Sequence, residues 1–429
     1  MQYSTKTTGS LHKHPLRLQL LLLFVMILSG CSLFGSDNGD QNMYPTLTPP
    51  SNLHTNTDTS NNIHAFQTFT YSIDDPTSVA KHYDFVWGVE PKQLAAFRST
   101  NPNAILSYYF PFRRDGGDYA DQSTWKQHGL SYWKAKHPDW VLYQCDRKTP
   151  ALEDSADIGF DFTNQEVIDW QVQTYAKPAS EAGYDAIAAD NLNLQNIINA
   201  CGFYKNGQWV QRYTGKSNDP QWRKDVLFWV AQMQKALYAL PHPLALIPNF
   251  GLGSVSPTDP IVQQIVQHSD ALLDEGGFTN YGDGYVTGNA WVHLVQFMQY
   301  VQQQGKTYYI LNEFKTDSLS SEQLQWALAS YLMGKDRSSA IYISRNQQYG
   351  SALYYPEYDA KIGSAQGKMY QDQHVYWRNF SGGLVVVNPS NDNSYTVKTS
   401  SAGYSNLQGQ AVSQSFTMPP HSGMILLHS

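Results

Sequence analysis

Tyr184-Asp185-Ala186-Ile187-Ala188-Ala189-Asp190-Asn191 decides how this chain reads. A short apolar run stops abruptly at a carboxylate followed by an amide. A helical pattern closes before it at Gly183 and a polar loop opens after it, so the run is expected to be a buried parallel strand. The chemistry of α/β proteins sits at the C-terminal ends of such strands, which makes Asp190 and Asn191 the first residues to follow.

The same alternation continues on both sides. Upstream, residues 84–88 (DFVWG), 104–110 (AILSYYF) and 158–162 (IGFDF) are expected as strands one to three, with a helix over 91–99. Thr163 followed three residues later by Glu166 is a capping-box signature for the helix that ends near Gly183. Downstream, a helix over 220–240 places Val226, Trp229, Val230, Met233 and Leu237 on one face. Residues 244–250, 271–278, 307–314 and 340–345 then read as strands five to eight, separated by helices over 261–268, 291–304 and a third that Ser320 and Gln323 cap and Gly334 ends. Eight strand-helix units over roughly 270 residues fit a (β/α)8 barrel, expected over residues 63–370. A doubly wound sheet is the alternative fold, but no Gly-rich phosphate loop follows any strand.

Past residue 370 the elements shorten. Strands over 374–380, 383–388, 394–399, 415–418 and 423–427, with turns at Ser381-Gly382-Gly383 and Pro389-Ser390-Asn391, predict a small C-terminal antiparallel β-sandwich over 371–429. Residues 111–157 form a long aromatic excursion with Trp125, Trp133 and Trp140, and loops of that length are usually functional.

The N-terminus follows a different logic. Lys6, Lys13 and Arg17 precede an apolar run over 20–28, whose nine residues fall short of the roughly 20 that span a bilayer. Residues 1–30 therefore read as a signal sequence. Leu28-Ser29-Gly30-Cys31 resembles a bacterial lipobox, which implies lipidation of Cys31 and a membrane anchor outside the cytoplasm. An ordinary cleaved signal is the alternative. Residues 31–62, rich in Ser, Asn, Thr, Asp and Pro, are expected to be a flexible tether. Without residues 1–30 the formal charge moves from -7 to -10, which argues against a nucleic-acid partner. Cys145 and Cys201 then remain as a disulfide or as two buried thiols. No CxxC or His-Cys cluster points to zinc, and neither a metal nor a cofactor is expected.

Strand ends nominate Trp87, Tyr109, Asp161, Asp190 with Asn191, Asn249, Asp274 with Glu275, Glu313 and Arg345. This inventory of acids, amides and aromatics suits glycoside cleavage, where one carboxyl protonates the departing oxygen and another attacks the sugar or activates water. If Asp190 points inward, Ala186 and Ala188 share its face and leave room above them. On strand six only one of Asp274 and Glu275 can point inward, and periodicity does not choose. Asp161 as a loop cap and Glu313 as a partner of Arg345 or Lys315 are the structural alternatives. With aromatics at 14% of the chain, rings such as Trp87, Tyr108, Tyr109, Trp125 and Trp133 are candidates to stack on sugars.

HPDWVLYQ at 137–144, GFDFTNQEVIDW at 159–170, YDAIAADN at 184–191 and DEGGF at 274–278 together resemble hypothetical glycosyl hydrolase family 15. The wider set looks like α-galactosidase and endo-polygalactosaminidase barrels, and the resemblance spans about residues 80–350. It implies a retaining hydrolase with Asp190 as nucleophile and Glu275 as acid/base, with Asp274 still open for the second role. The terminal β-domain looks like those that follow amylase-type barrels. The expectation is a lipid-anchored, monomeric glycoside hydrolase acting on an oligo- or polysaccharide. A non-catalytic carbohydrate-binding lipoprotein and a structural surface protein are the rivals.

Overall fold

The structure is a computed structural model that describes residues 43–55, 63–115, 128–153, 157–250, 256–336, 338–346 and 348–428. Residues 1–30, expected to be a signal sequence, lie outside them, as do Cys31 and Trp125. Eight parallel strands, Gln67–Thr68, Phe85–Trp87, Ile105–Pro111, Ala186–Leu192, Ala245–Phe250, Ala271–Asp274, Thr307–Phe314 and Ser339–Arg345, pair in that order. A parallel bridge between Ala65 and Ile341 joins the first strand to the last, with the Ile341 amide on the His64 carbonyl at 2.9 Å. The sheet is thus closed into a (β/α)8 barrel.

Two strand assignments differ from the sequence reading. The first barrel strand lies at 65–68, and 84–88 supplies the second. The segment read as strand three is not in the barrel: Asp157–Gly159 pairs antiparallel with Arg114–Asp115 and Leu152–Glu153. Apolar composition marks a buried strand but not its partner, so a strand of the excursion has the same pattern as one of the barrel. The two errors cancel, and Ala186–Leu192 is still the fourth strand.

Alternate residues of these strands fill the barrel. Phe66, Phe85, Ile105, Ala186, Ala188, Ala245, Ile247, Leu273, Tyr309, Leu311 and Tyr342 form one interior cluster, with the Phe85 and Tyr309 rings stacked 4.0 Å apart. The outward residues, Ile187, Leu246, Leu272 and Ile310 among them, pack on the helices in a second, larger core. Asp75, Asp219 and Asp259 cap three of those helices through their side chains, each with Pro in the first turn. Ser320 and Gln323 form both halves of the expected capping box. On the helix before strand four the cap is Asn164, one residue beyond the expected Thr163, and Gly183 ends that helix at φ 92°.

Residues 43–55 depart from the expected tether. The Tyr44 ring meets Phe228 and His268 edge-on, Leu53 packs against the barrel interior, and His54 Nδ1 lies 2.9 Å from Asp185 Oδ1. An apolar side chain within reach of an open barrel end is better buried than solvated, by about 2 kcal/mol for a leucine.

The excursion after strand three builds a small core of its own from Trp133, Trp140, Val141, Tyr143, Ile158, Phe160 and Val167. A Cys145–Cys201 disulfide and the backbone pair Tyr143–Gly202 join it to the loop after strand four. Of the two states left open for these cysteines, the structure has the bridge.

The C-terminal region is a sandwich. A six-stranded sheet that includes Val375–Phe380, Gly383–Asn388 and Ser422–His428 faces the pair Tyr395–Lys398 and Ser415–Met418 across Trp377, Val386, Val397 and Leu426. Its other face lies on the helix Ser321–Gly334. A Cβ on Gly423 would come within 2.6 Å of the Ala329 Cβ, so only glycine fits this approach. Buried Arg378 donates to the carbonyls of Leu332, Met333 and Lys335 at 2.8 to 2.9 Å and pairs with Asp336. It thereby satisfies the free carbonyls at that helix's C-terminus and fixes the sandwich to the barrel.

Candidate active site

Asp190 lies at the C-terminal end of strand four, above Ala186 and Ala188, whose small side chains leave a hollow at the barrel mouth. Three neighbouring strands reach the same hollow. Tyr109 from strand three donates its hydroxyl to Asp190 Oδ2 at 2.6 Å. Asn249 from strand five donates Nδ2 to Asp190 Oδ1 at 2.9 Å and to Glu275 Oε2 at 2.8 Å. Glu275 follows strand six. Because both bonds start from one nitrogen, the two carboxylate oxygens are at most about 5.7 Å apart.

The remaining wall comes from elsewhere in the chain. Tyr349, in the loop after strand eight, places its hydroxyl 3.0 Å from Glu275 Oε1 and 3.3 Å from Glu313 Oε2. Thr68, Phe69, Trp87, Leu273 and Leu311 complete a cavity of about 200 Å³. Gly88, at φ 75°, lets the Phe69 ring approach, since a Cβ there would meet that ring at 2.6 Å.

Behind Asp190 lies a group of buried charges. Arg114 pairs with Asp157 at 2.6 Å, and its Nη2 is 3.7 Å from Asp190 Oδ2. Arg113 pairs with Glu153 at 2.9 Å and donates to the Asn191 carbonyl at 2.6 Å. That contact holds the end of strand four, where Asn191 takes the left-handed conformation at φ 57°, which Asn tolerates better than most residues.

The electrostatics separate the two acids. Glu275 is pushed up to about 7, first by burial and then by the Asp190 carboxylate, with Glu313 adding to both; hydrogen bonds from Asn249 and Tyr349 act against the rise. Asp190 has instead the Tyr109 hydroxyl and the Arg114 guanidinium on its far side. The result is one carboxyl that holds a proton near neutrality beside another flanked by a cation.

The structure brings Asp190, Glu275, Asn249, Tyr109 and Trp87 to this cavity, and Glu313 to its edge through Tyr349. It takes four nominated residues elsewhere. Asp274 turns back to accept from the Gly276 and Gly277 amides at 3.0 and 3.2 Å and from the Tyr308 hydroxyl at 2.8 Å, while burial raises its pKa. This resolves the strand-six ambiguity geometrically, because adjacent residues of an extended chain face opposite ways. Asp161 caps its own turn by accepting from Thr163. Arg345 donates to Gln348 and to the Asp317 carbonyl, so Glu313 pairs with neither Arg345 nor Lys315; the latter bonds Asp283. Asn191 contributes its backbone to Arg113. Tyr108 packs on Tyr184, and Trp133 on Trp140 inside the excursion, so neither ring faces the cavity.

Fold and site together define a (β/α)8 barrel with two carboxyls facing each other across one amide at its C-terminal mouth. Within that class, the chain belongs to hypothetical glycosyl hydrolase family 15, whose family model matches residues 98–384, two thirds of its length. No curated protein matches it in sequence. Among solved structures it is similar to a noncanonic maltogenic alpha-amylase AmyB from Thermotoga neapolitana, at 15% identity and TM-score 0.42, over 86% of this chain and 89% of that one. It is also similar to the GH36 alpha-galactosidase AgaA from Geobacillus stearothermophilus, at 9% identity and TM-score 0.44, and to an alpha-amylase from Malbranchea cinnamomea, at 11% and 0.41. The coverages are 88% and 85% of this chain, and it spans 57% of the galactosidase and 84% of the fungal amylase.

Proposed function

We propose that the protein is a retaining glycoside hydrolase acting on an oligo- or polysaccharide, with Asp190 as nucleophile and Glu275 as acid/base. The observation that carries this reading is the Asn249 amide held by both carboxyls. It holds their nearer oxygens no more than about 5.7 Å apart, which is nearer the roughly 5 to 5.5 Å that suits direct attack than the roughly 6.5 to 9.5 Å needed to fit a water between acid and sugar. Membership of a glycosyl hydrolase family and the aromatic rings that wall the cavity around its two acids support a sugar ligand.

In the first step Asp190 attacks the anomeric carbon while protonated Glu275 gives its proton to the departing glycosidic oxygen, leaving a glycosyl ester on Asp190. In the second step the Glu275 carboxylate takes a proton from water, which displaces Asp190. Asn249 positions both acids. Tyr109 and Arg114 hold Asp190 toward the sugar, and Tyr349 holds Glu275.

The experiment is hydrolysis of a broad glycan panel, with the first-formed product anomer read by proton NMR. Retention of configuration is the expected result. Inversion would overturn the nucleophile assignment, and sugar binding without any release of reducing ends would indicate the non-catalytic binder. We further propose, from Leu28-Ser29-Gly30-Cys31, that the chain is anchored through a lipid on Cys31 outside the cytoplasm. A Cys31→Ala chain should then move from the membrane to the soluble fraction, and unchanged membrane association would refute the anchor.

A further inference from the structure

Next to the acid cavity lies a larger one that the mechanism above does not use. Its volume is about 490 Å³, against about 200 Å³ for the cavity at the acids. Asp274, Gly276 and Gly277 form its inner wall, so it adjoins Glu275 on both sides in sequence. Tyr281 stands at its edge. The Tyr281 ring lies against Gly276, where a Cβ would meet ring atoms at 3.1 and 3.4 Å, and it stays 45% exposed.

The chain holds Tyr281 there at a cost. Asn280 and Tyr281 are consecutive left-handed residues, at φ 45° and 57°. A bond from the Tyr281 amide to the Gly276 carbonyl at 3.2 Å closes the loop around them. Asn accepts this conformation readily, whereas an aromatic residue adopts it only under strain. Burial and the carboxylates of Asp274, Glu275 and Asp190 all raise the Tyr281 phenol, consistent with a ring close to the acids.

The chemistry of the lining is specific. Thr258, Asn280, His293 and Gln296 offer hydroxyl, amide and imidazole groups, and Val286 and Leu294 an apolar floor. Among the described residues lining this cavity there is no Lys or Arg, and its one carboxylate, Asp274, is already bound to two amides and a tyrosine. Such a surface suits neutral, hydroxyl-rich rings with an apolar face, and not phosphate or another anion.

We infer that this cavity takes the leaving-group side of the substrate, one or two neutral sugar units, with Tyr281 as the face on which the first of them stacks. The inference rests on the glycosidase reading, because the acid must adjoin the departing oxygen, and the Tyr281 ring at this cavity's edge lies on Gly276, the residue after Glu275. If the smaller cavity takes one ring, the larger one has room for two. The substrate is then a sugar-sugar linkage in which specificity for the departing part is set by residues 256–258 and 280–296.

The test compares two kinds of substrate on the full chain in detergent. One kind is the set of glycosyl fluorides, both anomers of the gluco, galacto, manno and N-acetylhexosaminyl series, whose departing atom needs no cavity. The other is the matching di- and trisaccharides. In Tyr281→Ala, kcat/KM for the oligosaccharide should fall at least tenfold further than for the fluoride, and Tyr281→Phe should restore most of the loss. Gln296→Ala, away from the strained turn, should show the same preference to a smaller degree and serves if Tyr281→Ala does not fold. Equal losses on both substrates, or fluoride hydrolysis by the wild type with no cleavage of any oligosaccharide, would overturn the cavity assignment alone. A wild type that hydrolyses no fluoride and no oligosaccharide would overturn the glycosidase reading, and this inference with it.

Discussion

Two aspartates mark strand four, Asp185 just before it and Asp190 near its end, and their surroundings could hardly differ more. Asp185, at the strand's entry, is neutralised on every side: Arg98 pairs with Oδ2, the Leu106 amide donates to it at 2.8 Å, and His54 meets Oδ1. Asp190, five residues on, accepts from a tyrosine and an amide and faces a second carboxyl across that amide. A carboxylate held by a guanidinium, an imidazole and a backbone amide stabilises a fold. One that shares a donor with another acid stores repulsion, and stored repulsion is what keeps a proton on one of the pair.

The contrast can be broken at either end. Asp190→Asn should lower kcat by at least a thousandfold, about 4 kcal/mol of transition-state stabilisation, without lowering the melting temperature. An active Asp190→Asn protein would remove the nucleophile assignment. The next effect is on Glu275, which must be protonated to act as acid. kcat/KM should therefore be half-maximal near pH 7 on the alkaline side and fall about tenfold per unit above it. Glu275→Gln should cost roughly 10²- to 10⁴-fold and abolish that limb; survival of the limb in Glu275→Gln would show that another group titrates.

The same residue also gives a stability signature, in which the variant that loses activity gains stability. Its folded-state pKa of about 7 lies above its ordinary value of 4.5, so the folded chain binds the proton more tightly than the unfolded chain. The stability this contributes is complete below about pH 4.5 and is lost as pH rises through about 7, a loss on the order of 3 kcal/mol. Glu275→Gln should therefore melt higher than wild type at pH 8, with little difference at pH 4; an equal or lower melting point at pH 8 would contradict the buried, repelled acid. The smallest effect belongs to Asp185→Asn, which should leave turnover within about twofold and cost roughly 1–2 kcal/mol by urea denaturation, since Arg98 stays partly exposed. Loss of turnover without loss of stability in Asp185→Asn would erase the distinction between the strand's two ends.

Much of this was legible before the fold was known, though not always for the right reason. Asp190, Tyr109 and Asn249 end strands whose periodicity is strong, so each could be nominated from pattern alone. Strand four kept its number because a missed strand at 65–68 offset the false one at 158–162. A run of two paired residues carries almost no periodic signal, and an apolar run in an antiparallel excursion looks like a barrel strand. Tyr349, Phe69, Arg114 and Tyr281 escaped because loops and one very short strand deliver them, and no period governs where a loop places a side chain. The Phe-Gln-Thr-Phe run at 66–69, alternating and apolar at both ends, was the available signal for Phe69.

By itself the sequence determined the barrel, the sandwich after it and the acid on strand four, because hydrophobic periodicity and capping are local properties that one stretch of chain carries whole. Only the tertiary structure decided that Glu275 rather than Asp274 meets Asp190, that Asn249 bridges the two, and that Asp161 and Arg345 stay apart from them. Those outcomes depend on which way each side chain points at the rim of a closed sheet, and on distances between residues tens of positions apart. Strand closure fixes both, and no local pattern records them.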